Sequence, residues 1–187
     1  MDIKNIVLGK IKEIQTRKPK SGFVWDGSLY QDIQHLTLDD KGQLGEEITV
    51  DILRSFNCNV IFDSSVTDEV KGHDLISNGI KIEVKLATIT IGSGLFQHDN
   101  LHPQRNFNAV LFIDITPNEI YLTAVLKDDF IWKDITRREN GLYKYDFSIK
   151  HIKNKTIPKL KKYETGLVNS TKDFFDIYKW IEENKKK

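Results

Sequence analysis

The chain has 187 residues, of which 39% are hydrophobic and 29% charged, and its formal net charge is +1. This composition is that of an ordinary globular protein, and the length suits one domain that buries its own core. The near-neutral charge argues against a protein that coats nucleic acid by bulk electrostatics. The single cysteine, Cys58, excludes an intramolecular disulfide and favours a reducing cytoplasm. No apolar run has the character of a signal peptide or the length of a membrane span.

Helical periodicity marks two segments in the first third of the chain. Residues 2–16 repeat apolar side chains at a spacing near 3.6, which predicts a first helix. Residues 39–42 predict a turn, and an apolar stripe in residues 43–56 predicts a second helix. On that helix Glu46 falls at the border of the buried face, whereas Glu47 points away. A glutamate at this border needs a partner, unless it is a first-turn acid favoured by the helix dipole.

Short apolar or alternating runs predict the strands of a sheet. Residues 60–62 predict a short strand, and residues 80–86 alternate apolar with charged side chains, which is typical of a strand with one buried face. Residues 109–115 form the most hydrophobic run and predict a buried central strand. Residues 119–125 alternate again. The sequence therefore predicts an α/β fold with a mixed central sheet of about four to five strands flanked by helices.

Two groups of basic residues are candidates for contact with a phosphate backbone. The first group lies near the start of the chain and consists of Lys10, Lys12, Arg17, Lys18 and Lys20. The second is the lysine-rich stretch from Lys150 to Lys162. The alternative for each group is a solvated surface. After this basic loop, Ser170 and Asp173 predict a capping box at the start of a closing helix.

The most informative stretch runs from residue 72 to residue 87. Asn78 and Gly79 favour a type I′ hairpin turn, because both residues tolerate a positive φ. If these two residues form the loop, Ser77 pairs with Ile80 and the register of the whole hairpin is fixed.

This register places three charged side chains on one face of the hairpin. Counting outward from the turn puts Asp74 directly opposite Glu83, and directly opposed side chains share a face. Lys85 projects from the same face, two residues further on. Two carboxylates this close repel each other unless a positive charge lies between them, and Mg²⁺ is commonly held by one or two carboxylates together with substrate phosphate.

The pattern of Asp74 followed by Glu83, Val84 and Lys85 resembles the metal-binding signature of the PD-(D/E)XK nuclease superfamily. That superfamily includes many type II restriction endonucleases and archaeal-type Holliday-junction resolvases. The resemblance implies a restriction-endonuclease-like core, and Mg²⁺, with Mn²⁺ as a substitute, bound by Asp74, Glu83 and the main-chain carbonyl of Val84. It also implies that Lys85 is the catalytic lysine. His73 stands where the signature often has proline.

The resemblance implies roles for two further residues. In that superfamily a glutamate on the helix before the catalytic sheet often faces the metals, and Glu46 is the matching residue. Some members carry a glutamine that supports the active site on the element after the catalytic lysine, and Gln97 is the candidate. The alternative for Gln97 is a surface amide. His98 and His102 could share a helical face as metal ligands do, but contacts to DNA or water are the preferred interpretation.

The sequence thus predicts a single nuclease domain over residues 1–187, with a catalytic core at about residues 43–125. The expected activity is Mg²⁺-dependent hydrolysis of double-stranded DNA by a type II restriction endonuclease. A homodimer is expected because one small domain supplies one active site and a double-strand break needs two. The alternative enzymes are a Holliday-junction resolvase and a phage or recombination nuclease. The non-enzymatic alternative is a DNA-binding or protein-interaction module in which the hairpin is only a salt-bridged sheet.

Overall fold

The computed structural model describes residues 2–15, 25–62, 72–90, 92–139 and 141–185. The α-helices in these ranges are α1 (Ile3–Gln15), α2 (Leu38–Ser55), α3 (Ile149–Lys153) and α4 (Thr171–Asn184). The strands are β1 (Val60–Phe62), β2 (Leu75–Ser77), β3 (Ile80–Thr88), β4 (Leu95–Leu101), β5 (Ala109–Ile115), β6 (Ile120–Leu126), β7 (Thr136–Arg137), β8 (Tyr143–Ser148) and β9 (Glu164–Leu167). The predicted basic residues Arg17, Lys18 and Lys20 lie outside the described ranges.

A six-stranded mixed sheet forms the centre of the fold, in the order β1-β2-β3-β5-β6-β9. Strands β3 and β5 run parallel, and the other neighbouring pairs are antiparallel. The mixed α/β architecture is confirmed, but the predicted strand count of four to five is too low. The last strand, β9, was missed because its sequence Glu-Thr-Gly-Leu is short and contains glycine, which is depleted in strands.

A second sheet of three strands, in the order β4-β8-β7, packs against one face of the first. The two faces of the central sheet therefore cover two hydrophobic cores. Ile80, Ile82 and Val84 of β3 pack with α1, α2 and α4 in the first core. Because successive side chains of a strand point to opposite faces, Glu83 and Lys85 project from the face that carries the second core.

Helix α2 begins earlier than the sequence predicted, and it lies close to β3. Its N-cap is Thr37, which forms a capping box with Asp40, so the predicted turn at residues 39–42 is the first turn of the helix. Further along, a Cβ at Gly45 would lie 3.1 Å from the Cβ of Leu86. The missing side chain allows this close approach of helix and strand.

The predicted hairpin is present, with the predicted register. Ser77 pairs with Ile80, and the turn residues Asn78 and Gly79 have φ values of 48° and 75°. These are the left-handed conformations that a type I′ turn requires. The capping box predicted at the start of α4 is also confirmed. Within the part of the chain that the structure describes, no helix is at once long and apolar enough to span a bilayer.

Gly72 allows the segment just before Asp74 to pack closely against the chain after β4. Gly72 has a φ of 70°, and a Cβ built on it would lie 2.7 Å from the main-chain nitrogen of Asn106. Gly79 has a similar φ, but a Cβ there would meet nothing within 4 Å.

We predict that Gly72→Ala destabilises the protein more than Gly79→Ala does. Both substitutions place an L side chain at positive φ, but only Gly72→Ala also forces a main-chain contact apart, which costs about 1–3 kcal/mol more. Urea unfolding of the two variants and the wild type measures the difference. Equal losses in the two variants would contradict the close contact at Asn106.

Candidate active site

Asp74 lies at the open edge of β3, one residue before β2. Its main-chain N–H donates to the carbonyl of Ile82 at 2.9 Å, and its Oδ2 accepts a hydrogen bond from the N–H of Val84 at 2.5 Å. Strand β2 does not extend far enough to pair with Val84, so the carboxylate of Asp74 takes the place of a neighbouring strand. The residue is only 3% exposed. The strand pairing ends at Leu75 and Ile82, so Asp74 contacts β3 at Val84, the residue after Glu83, and does not pair with Glu83 as predicted.

Glu83 is buried and paired with two cations. The Nζ of Lys85 lies 2.6 Å from Glu83 Oε1, and the Nη1 of Arg105 lies 3.0 Å from the same oxygen. The other oxygen, Oε2, is buried and has no hydrogen-bond partner among the described residues. Removing a carboxylate from water costs several kcal/mol unless nearby charges compensate it, and Lys85 and Arg105 supply that compensation.

A cavity of about 590 Å³ lies beside this edge, between α2, β3 and β4. Five of the six predicted site residues line it, namely Glu46, Asp74, Val84, Lys85 and Gln97. Glu83 does not line the cavity itself, but it forms an ion pair with Lys85, which does. The cavity brings together side chains from three separate elements of the chain.

The two adjacent glutamates of α2 have different surroundings. Glu46 lines the cavity, whereas Glu47 accepts a hydrogen bond from Gln43 at 2.7 Å and forms an ion pair with Lys10 of α1 at 3.3 Å. This separation agrees with the helical projection, which placed Glu46 towards the sheet and Glu47 away from it.

Strand β4 supplies the opposite wall of the cavity. Gln97 is exposed and lies opposite Asp146 of β8, whereas the next residue, His98, is turned into the second core. The proposed helical face shared by His98 and His102 is wrong, because this segment is a strand in which side chains alternate. Contact of the His98 side chain with DNA or water is also wrong, since that side chain is fully buried.

His98 instead forms a buried pair with an acid that sequence analysis missed. Its Nε2 lies 3.1 Å from Oδ1 of Asp114 on β5. The centroid of its ring lies 4.4 Å from the ring centroid of Phe112 and 5.1 Å from that of Phe147. Burial raises the pKa of Asp114, and the neighbouring His98 opposes this rise. The sequence feature that could have indicated this pair is the position of Asp114 as an acidic residue inside the otherwise apolar run of β5.

The donor atoms at the strand edge fit a hard divalent cation. Within the described ranges no group of three or more His, Cys, Asp or Glu could hold a metal, but Mg²⁺ is often held by one or two carboxylates, with water and phosphate as further ligands. Glu83 Oε2 is a buried carboxylate oxygen without a hydrogen-bond partner, the kind of atom such a cation binds. The carbonyl of Val84 points to the same side as its N–H, and therefore towards Asp74.

No protein-family model and no curated protein matches the sequence. Among solved structures, the chain is similar to a bacterial homing endonuclease with 13% sequence identity and a TM-score of 0.41. The alignment covers 60% of this chain and 75% of the other. A similarity of this size assigns neither a family nor a function to the chain.

We predict that Asp114→Asn gains stability relative to the wild type as the pH rises. The folded-state pKa of Asp114 is raised by burial, so the native state binds more protons than the unfolded state above the ordinary aspartate pKa of about 3.9. The wild-type free energy of unfolding therefore falls as the pH rises from that value through the folded pKa, and the substitution removes this fall.

The measurement is urea unfolding of both proteins at a series of pH values between about 4 and 8. Two groups that face the carboxylate, His98 and Tyr145, remain in both proteins. A wild-type advantage that grows with pH would contradict the raised pKa.

Proposed function

We propose that the chain is a metal-dependent endonuclease that hydrolyses phosphodiester bonds in double-stranded DNA. The observation that carries this proposal is the arrangement around Glu83. Its buried carboxylate contacts Lys85 at 2.6 Å, and the carboxylate of Asp74 is held on the main chain of the next residue, Val84. Two acids and an amine beside one cavity supply oxygen ligands for a cation and a positive charge for a phosphate.

Each of these residues has a distinct role in the proposal. Asp74, Glu83 and the carbonyl of Val84 hold Mg²⁺, for which Mn²⁺ substitutes. The bound cation lowers the pKa of water and stabilises negative charge on the scissile phosphate. Lys85 orients the attacking water and offsets charge on the phosphate, and Glu83 holds its ammonium group in place. Arginine could not replace Lys85 fully, because its guanidinium stays protonated.

Glu46 and Gln97 lie on opposite walls of the same cavity, on α2 and β4. In the proposal Glu46 adds a third carboxylate facing the bound cation and its waters. Gln97 contributes an amide that both donates and accepts hydrogen bonds, which suits it to orient a water or a phosphate oxygen.

A surface that carries several lysines favours a polyanionic substrate such as DNA. A second cavity, of about 600 Å³, is lined by lysines from three parts of the chain: Lys127, Lys161, Lys162 and Lys185. Two acids, Asp128 and Asp129, line it as well. Lys161 and Lys162 also line a third cavity of about 610 Å³ in the predicted basic loop. The ammonium of Lys127 donates to the carbonyl of Arg105, which connects this surface to Glu83.

Within this class we favour a type II restriction endonuclease that acts as a homodimer. The described residues of one chain form one such site, so a double-strand break would need two chains. A Holliday-junction resolvase or a phage or recombination nuclease would use the same residues on a different DNA structure.

We predict that Lys85→Ala abolishes most of the cleavage, whereas Lys81→Ala does not. Both lysines lie on the same face of β3, but only Lys85 lines the cavity and contacts Glu83. Loss of a group that positions or transfers a proton lowers rates about 10²- to 10⁴-fold. The assay is plasmid cleavage in Mg²⁺ or Mn²⁺, with EDTA as the metal-free control.

The products distinguish the possible functions. Discrete fragments indicate restriction, and selective nicking of a four-way junction indicates a resolvase. Absence of metal-dependent cleavage of any DNA, with DNA binding retained, would show that the chain is a binding module.

We predict that Glu46→Gln lowers the cleavage rate and raises the Mg²⁺ concentration needed, whereas Glu47→Gln changes neither. Only Glu46 faces the cavity, and loss of a residue that supports metal ligands typically costs about 10- to 100-fold. Glu47 is the matched control, since it lies next along the helix and contacts Lys10 instead. Equal effects of the two variants would remove Glu46 from the site.

A further inference from the structure

Arg105 is the one cation at Glu83 that the sequence pattern did not indicate. It lies between β4 and β5, and its Nη1 contacts Glu83 Oε1 at 3.0 Å. Its carbonyl accepts a hydrogen bond from Lys127, and the next residue, Asn106, packs against Gly72. Contacts on both sides therefore hold the main chain of this segment beside the edge that carries Asp74.

Glu83 already contacts two cations, Lys85 and Arg105, before any metal ion binds. Asp74 and Glu83 are two negative charges, and Lys85 and Arg105 are two positive ones. Lys85 is needed at the cavity in the proposed reaction, but no proposed role there requires Arg105 to stay on Glu83. A divalent cation at the two acids would face repulsion from Arg105 across Glu83.

We propose that Arg105 is a counter-ion of Glu83 in the metal-free protein, and that it moves to a DNA phosphate when the cation binds. This inference rests on the proposed nuclease function. The guanidinium is suited to both positions, because its planar set of donors matches carboxylate and phosphate alike. Its side chain is 19% exposed, so it is within reach of a bound ligand.

This exchange couples cation binding to DNA binding. Without DNA, the cation must displace Arg105 from Glu83, which weakens cation binding. With DNA present, a phosphate binds the guanidinium of Arg105, so the cation no longer has to displace it from Glu83. By linkage the cation must strengthen DNA binding by the same factor. Arg105 thus limits loading of the metal when no substrate is present.

The test is calorimetric titration of the full chain with Ca²⁺ alone and then with Ca²⁺ in the presence of a short DNA duplex. Without DNA, Arg105→Gln should bind Ca²⁺ about tenfold more tightly than the wild type, because the substitution removes a positive charge that repels the incoming cation. Arg105→Lys keeps the charge and should bind Ca²⁺ like the wild type. DNA should increase the Ca²⁺ affinity less in Arg105→Gln than in the wild type.

Two controls keep the outcomes separate. Arg54→Gln removes an exposed arginine at the far end of α2 and should change nothing, and circular dichroism checks the folding of each variant. If Asp74→Asn abolishes Ca²⁺ binding but Arg105→Gln binds no tighter than the wild type, the inference is overturned and the proposed nuclease stands. If Ca²⁺ binding does not depend on Asp74 in any variant, both are overturned.

Discussion

The structure around the candidate site depends on the burial of one carboxylate. Glu83 lies in the middle of the central sheet, where an uncompensated charge would be very costly. Lys85 reaches it from the same strand and Arg105 from the chain before β5. The same pairing that makes burial tolerable keeps the ammonium of Lys85 beside the cavity. Stability and the proposed chemistry therefore depend on the same contacts.

The sheet architecture explains why charged groups can collect at this point. Strand β3 has one apolar face on the helices and one face towards the second sheet, so alternation separates Val84 from Glu83 and Lys85. The close approach of α2 at Gly45 then brings Glu46 to the same edge. The cavity forms where α2, β3 and β4 meet, beside the part of β3 that extends beyond its pairing with β2.

Short-range patterns in the sequence were sufficient to predict the hairpin, whose turn and alternation set its register. The pairing of Ser77 with Ile80 follows from that register, whereas the contact of the Asp74 carboxylate with the main chain of Val84 does not. Arg105 and Asp114 could not be predicted, because their contacts depend on the parallel pairing of β3 with β5 and on the second sheet. Strands β4 and β7 are polar or very short, so no periodicity marked them, whereas residues 143–152 were expected to be extended and contain β8. The roles of the predicted site residues remain predictions.

The short length of β2 leaves part of the edge of β3 without a strand partner in β2. A strand that continues past its neighbour exposes unpaired main-chain groups, which invite pairing with a strand of another molecule. Here the Asp74 carboxylate covers the N–H of Val84. An incoming strand would have to displace a buried negative charge to add to this edge. The carboxylate proposed to hold the cation thus also occupies the main-chain donor of Val84 that an added strand would need.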